Sequence, residues 1–299
     1  MSYRTLLLIV LFVPAVILTG AKLLGITLPL PQWGRDYVLR FVLDGDEGPF
    51  ELPPVAGPDD PSRPLVVIDA GHGGRDPGAI GEDADGRKFN EKDITLSVAL
   101  ALRGELLRQG GIRVALTRAD DRILPLGYRP EIARQLEADL FISIHADSAG
   151  ERDDVSGASI YTLSDAASNE AAARFAAREN DADRLNGITI DGQSAAVSTI
   201  LVELSQQRTQ EDALDFAALV LREGEGELAF IPQPRRAAAL AVLRAPDVPS
   251  VLFESGFVTN STDRARLTTL EGRAQYARVL ARAIKIHFAR RTGQAGDVE

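Results

Sequence analysis

Beyond residue 64 the chain alternates short apolar runs, rich in β-branched residues, with longer stretches whose apolar positions recur at helical spacing. Residues 65–68, 113–117, 140–144, 158–163 and 250–253 are expected to be strands, and 93–109, 128–137 and 263–289 helices. In the first of these helices Asp93 is the expected N-cap, and Ile94, Leu96, Val98, Leu102 and Leu106 supply apolar positions. Gly110-Gly111 then stops it. This alternation favours an α/β fold, with a mostly parallel or mixed central sheet flanked by helices. It is interrupted over residues 164–236, which are expected to be a helical insertion. Val197, Ile200, Leu201 and Leu204 form one apolar stripe there, and Leu214, Ala217 and Leu221 another. The insertion carries 13 acidic residues against 7 basic ones, most of the excess behind the chain's net charge of −10. One domain over 64–291 with a flexible tail at 292–299 is the expected organisation.

The first residues have a different pattern. Arg4 precedes an uncharged run from Thr5 to Ala21, followed by Lys22. This is the charge and length pattern of an export signal, with Thr19-Gly20-Ala21 as a candidate cleavage site. Left uncleaved, a helix of that length spans about 26 Å, borderline for a membrane anchor. Residues 1–22 are therefore expected to be a signal peptide or N-terminal anchor, which places the protein in a bacterial periplasm. Any membrane contact would run through that segment. Residues 23–63 hold a strand-like run at 37–43 and then five prolines from Pro53 to Pro64, read as a stiff linker.

Composition narrows the chemistry. With no cysteine, disulfides, thiol nucleophiles and cysteine-bound metals are excluded, so catalysis must use oxygen or nitrogen groups. The negative net charge argues against a nucleic-acid partner. Only three histidines are present. His72 and His145 each follow an apolar strand run, where open α/β sheets build their sites. His287 lies in the last expected helix beside Lys285 and Arg290 and is read as a surface or packing residue. Two imidazoles and a carboxylate with an open position make a catalytic zinc site. Glu91, after a glycine-rich loop and at the mouth of a helix, is the candidate third ligand. Glu254, ending the run Val251-Leu252-Phe253 before Gly256, is the candidate general base.

The segments Ile68-Asp69-Ala70-Gly71-His72-Gly73-Gly74, Asn90-Glu91-Lys92-Asp93-Ile94, Ser143-Ile144-His145-Ala146-Asp147 and Phe253-Glu254-Ser255-Gly256-Phe257 together carry a resemblance. In this order they resemble the zinc-dependent N-acetylmuramoyl-L-alanine amidases of the type 3 family, over roughly residues 65–289. The resemblance implies Zn2+ held by His72, Glu91 and His145, with Glu254 catalytic. It implies hydrolysis of the amide between N-acetylmuramic acid and L-alanine in peptidoglycan, in cell-wall remodelling and daughter-cell separation. Arg118 and Arg129 match basic positions of that family and are candidate substrate contacts. The insertion resembles that of division-associated members, in which a helical segment covers the site until an activator protein displaces it. Glu179, in Arg178-Glu179-Asn180-Asp181, is the candidate inhibitory ligand. Two alternatives stay open: a zinc peptidase cutting the stem peptide, and a catalytically silent wall-binding scaffold.

Overall fold

The computed structural model describes residues 51–150, 152, 154–185 and 199–296. The expected signal segment, the run at 37–43 and Val197 lie outside them, and so do the side chains of Ile200, Leu201 and Leu204. No helix among the described residues is long and apolar enough to cross a membrane.

Apolar runs buried on both faces make the centre of a six-stranded sheet. Its strands are β1 (Leu65–Ala70), β4 (Arg113–Leu116), β5 (Leu140–Asp147), β6 (Ala158–Leu163), β7 (Phe230–Ala238) and β8 (Ser250–Phe257), in the order β4-β1-β5-β8-β6-β7. The first four in that order run parallel; β6 is antiparallel to β8, and β7 runs parallel to β6. A small hairpin of β2 (Ile80–Glu82) and β3 (Lys88–Asn90) leads into α1 (Glu91–Gln109). Helix α2 (Tyr128–Gln135) precedes β5, and α3 (Glu170–Glu179) and α4 (Ala182–Leu185) follow β6. Helix α5 (Thr199–Gly224) precedes β7, and α6 (Ser261–Thr268) and α7 (Leu270–Gly296) end the described chain.

Strand alternation sends side chains to two cores. On one face Val66, Ile68, Ile142, Ile160 and Phe253 pack with residues of α1, α5 and α7. On the other Val67, Phe141, Tyr161 and Leu252 pack with Ile132 of α2, with Phe175 of α3, and with Val242 and Leu243 of a short 3-10 turn.

Three expectations are corrected. The segment 164–236 is neither wholly helical nor wholly inserted. Ala213, Phe216, Ala217 and Val220 of α5 are buried in the main core, Leu221 packs against it while Leu214 is exposed, and β7 is a sheet strand. Pro232 and Pro234 disguise that strand, yet it is an edge strand, where missing N–H donors are tolerated. The single helix expected at 263–289 is two, broken at Thr269, whose backbone is extended at φ −92° and ψ 151°. The expected tail is helical as far as Gly296, continuing α7.

Candidate metal centre

The C-terminal ends of β1, β5 and β8 meet on the face covered by α2 and α3. β1 delivers His72 through a loop whose three consecutive carbonyls are each bonded by an arginine. Arg118 Nε and Arg129 Nη1 donate to Ala70 O at 2.9 and 2.8 Å, Arg118 Nη2 to Gly71 O at 2.8 Å, and Arg129 Nη2 to His72 O at 2.7 Å. Arg129 also pairs with the fully buried Asp69, which accepts from Thr117 and Ser143 hydroxyls at 2.6 Å each. These contacts hold His72 at φ 63°, a left-handed conformation a β-carbon normally resists. The two arginines are therefore corrected as substrate contacts. Both are buried, and their donors are directed into the protein, to loop and helix carbonyls.

Glu91 is the first residue of α1, and its carboxylate is fixed by two backbone donors, Ala146 N to Oε1 and Ala79 N to Oε2, both 2.8 Å. His145 and Glu254 are register partners on β5 and β8, both strands continuing a few residues past their expected ends. Gly71 has no substitute beside them. A β-carbon there would sit 2.5 Å from the His145 ring.

Four donors converge. His72 Nε2 and His145 Nδ1 each lie 3.1 Å from Glu91 Oε1, and 3.5 and 3.3 Å from Glu179 Oε2. A tetrahedral zinc ion bound at about 2.0–2.1 Å separates its donors by roughly 3.3–3.4 Å, so these distances match the edges of such a site. His145 Nδ1 is hydrogen-bonded to Glu91 Oε1, but His72 Nε2 is buried without a hydrogen-bond partner, which suits a donor aimed at a shared cation. The other His72 nitrogen, Nδ1, pairs with Asp76 Oδ2 at 2.8 Å, the usual support for a metal-binding imidazole. Electrostatics agree. Burial alone would lower both imidazole pKa values, but the Glu91 and Glu179 carboxylates overcome it and push each up to about 10. A pocket that holds cationic imidazoles so firmly has negative charge to spare for a metal, which must displace those protons as it binds. His72, His145 and Glu179 form a buried group that could hold a metal ion, with Glu91 at the same point.

Glu254 Oε2 accepts from Asp147 N at 2.9 Å, while Oε1 is buried without a partner. Burial, with Asp147, Glu91 and Glu179 nearby, raises its carboxyl well above the usual carboxylate range. Such a group is suited to carrying a proton to and fro.

Above these residues lies α3, capped by Asn169, whose side chain accepts from Ala172 N at 2.9 Å. Its buried stripe is Ala172, Phe175, Ala176 and Glu179. Phe175 packs on Tyr161 with ring centroids 4.6 Å apart. Arg178 pairs with Asp147, Asn180 bonds the backbone of Ala239 and Ala241, and Asp183 accepts from Leu126 N at 2.8 Å. Only a small cavity of about 20 Å³ remains beside His72 and His145. The supporting roles of three residues escape sequence reasoning. Asp76 was detectable as a carboxylate four residues after His72, and Arg178 as the neighbour of Glu179, but nothing local marks Asp147 as the link between Arg178 and Glu254.

Comparison with known proteins identifies the family. Residues 66–286 match the family model described as N-acetylmuramoyl-L-alanine amidase. The N-acetylmuramoyl-L-alanine amidase AmiC of Escherichia coli O6:H1 is 33% identical over 265 residues, covering 85% of this chain and 62% of that protein. AmiA of Salmonella typhimurium is 35% identical over 228 residues, covering 76% of this chain and 77% of the relative. The chain thus spans about three fifths of AmiC and three quarters of AmiA. Among solved structures, N-acetylmuramoyl-L-alanine amidase AmiC2 of Nostoc punctiforme is 29% identical, with a TM-score of 0.52 over 76% of this chain and 97% of its own. On the strength of a family match that spans most of its sheet and both strand-end histidines, the chain belongs to the N-acetylmuramoyl-L-alanine amidases.

Proposed function

We propose that this protein is a zinc-dependent peptidoglycan amidase of the periplasm, cutting between N-acetylmuramic acid and L-alanine, and that α3 holds it inactive until a partner displaces the helix. The observation that carries this reading is the convergence of His72, Glu91, His145 and Glu179, with imidazole-to-carboxylate distances of 3.1 to 3.5 Å, in a buried pocket next to Glu254. His72, Glu91 and His145 are the resident ligands, each fixed by a loop, helix start or strand of the main domain. When bound there, zinc lowers the pKa of water toward about 7 and polarises a carbonyl.

The chain's own residues do the rest. Glu254 accepts a proton from the attacking water through its unpartnered Oε1, while Asp147 N holds Oε2 in place. The water oxygen bonds to the lactyl carbonyl carbon, the C–N bond breaks, and Glu254 returns the proton to the departing alanine amine. Glu179 stands where substrate or water must come, so the closed helix is inhibitory. Its displacement requires a partner that binds the open state more tightly than the closed one. Daughter-cell separation is the setting in which a wall-cutting enzyme with such a restraint is most useful.

Metal analysis and activity on purified peptidoglycan test this together. One zinc per chain is expected in the native protein and in Glu179→Ala, and its loss in the double His72→Ala, His145→Ala variant. Glu179→Ala should be the more active of the two zinc-loaded proteins. Full zinc in the double variant would overturn the ligand assignment, and equal activity of native and Glu179→Ala proteins would overturn the inhibitory role.

A further inference from the structure

Helix α3 crosses the sheet from β7, where Ser168 N and Ala237 O bond at 2.8 Å, to the metal donors at Glu179. Its path therefore marks a groove whose floor is made by the side chains beneath it. Register identifies them. Glu254 on β8 faces Ser159 on β6, Leu252 faces Tyr161, and Tyr161 in turn faces Arg236 on β7, so Glu254, Tyr161 and Arg236 share one face of the sheet.

Arg236 projects over this floor. Among the described residues Arg118 and Arg264 also lack a carboxylate, but they spend their donors on backbone carbonyls, whereas Arg236 has neither a carboxylate nor a carbonyl partner. Its Nη1 donates to Tyr161 Oη at 3.1 Å, its guanidinium carbon lies 5.9 Å from the centre of the same ring, and its Nε is buried without a hydrogen-bond partner. A guanidinium oriented by a tyrosine, with its Nε unpartnered and no carboxylate at ion-pair distance, is suited to receive a carboxylate.

We propose that Arg236, oriented by Tyr161, binds a carboxylate of the peptidoglycan stem peptide two to three residues beyond the scissile amide, in the groove that α3 fills when closed. This rests on the amidase reading and names the part of the substrate that the groove recognises. The span fits. Two strand spacings of about 4.8 Å across and two residues, about 6.8 Å, along the strands separate Glu254 from Arg236, roughly 12 Å, which three extended residues at about 3.3–3.6 Å each and the reach of a carboxylate cover. The buried stripe of α3 occupies the same path, with Glu179 at the metal end and Phe175 over Tyr161.

Binding of synthetic stem tripeptides, L-alanine, γ-linked D-glutamate and a diamino acid, to zinc-loaded Glu179→Ala protein by calorimetry tests this. The peptide with free carboxylates should bind at least tenfold more tightly than one amidated at the second residue or at the third, and whichever amidation costs affinity identifies the partner. Arg236→Met should erase the difference, Arg236→Lys should keep part of it, and Tyr161→Phe should weaken it while leaving Arg236 charged. Matching melting temperatures and zinc contents exclude a folding defect. Equal affinity for all peptides, no binding of any, or discrimination that survives Arg236→Met overturns the proposal. Discrimination without any cleavage of peptidoglycan would instead count against the amidase reading and leave the carboxylate site standing.

Discussion

The conformation of His72 is the feature on which the site depends most, because its left-handed backbone is held by hydrogen bonds from Arg118 and Arg129 rather than by a glycine. Arg129→Met removes the bond to His72 O and leaves Asp69 buried without its cation, so metal affinity should fall by roughly tenfold or more, consistent with the cost of losing support around a ligand. Competition with a zinc chelator measures this, and Arg129→Lys should recover only part. An unchanged zinc affinity in folded Arg129→Met would show that the loop holds its shape unaided. Glu254→Gln preserves shape and the Asp147 N–H bond but cannot accept a proton; zinc should stay and turnover fall by about 10² to 10⁴. Full activity of that variant would remove Glu254 from the chemistry. At this scale the sequence was informative where chemistry is rare: with three histidines and no cysteine, His72 and His145 stood out, Glu91 followed from its place after a glycine-rich loop at a helix start, and Glu254 from its place at a strand end. It misled at Arg118 and Arg129, because a basic residue near a site looks the same in sequence whether it faces substrate or clamps a loop.

Outside its apolar stripe helix α3 and the residues that flank it are anchored by polar contacts, of which the Arg178–Asp147 pair is the one beside the Glu254 carboxylate. Arg178→Ala leaves Glu179 able to reach the histidines but removes this anchor, so basal activity should rise roughly fivefold, about 1 kcal/mol of closed-state stability, as fits a half-exposed ion pair. Muropeptide release from purified peptidoglycan reads it, and no increase would place the restraint elsewhere on the helix. The α5–α7 contact carries a separate signature. His287 packs between Phe216 and Phe288, and burial together with Arg291 and Arg290 lowers its pKa to about 4. The unfolded chain protonates the same imidazole near 6.5, so it takes up a proton that the folded state refuses between those values. Stability should therefore decline as pH falls from about 6.5 toward 4, by roughly 2 kcal/mol from this residue. Urea unfolding of native and His287→Leu protein at pH 7.5 and 4.5 checks the sign: the variant should lose less on acidification. Element positions were legible where one pattern dominated, as in α1 and the central strands. They were not at β7, whose prolines suit only a sheet edge, or at the α6–α7 break, where Thr269 turns extended inside an uninterrupted helical pattern.

For the whole molecule, the alternating order of strands and helices was enough to place both histidines at strand ends, since a parallel sheet brings those ends to one side whatever the exact order. The reversal of β6 and β7 and the path of α3 across them are long-range pairings that leave no local mark, and they decide how the site is covered. The result is a domain whose core contains α5 and β7 and whose site is covered, among the described residues, by α3 and α4 together with Leu124, Leu126 and Val242, so shortening all of 164–236 would strip the core, while removing Glu179 would not. The most direct test of the function is digestion of purified peptidoglycan by zinc-loaded Glu179→Ala protein, with the new ends identified by mass spectrometry. Peptides beginning with a free L-alanine amine, released together with glycan whose N-acetylmuramic acid carries a free lactyl carboxylate, are expected. New ends within the stem peptide or the glycan, or no new ends at all, would contradict the account.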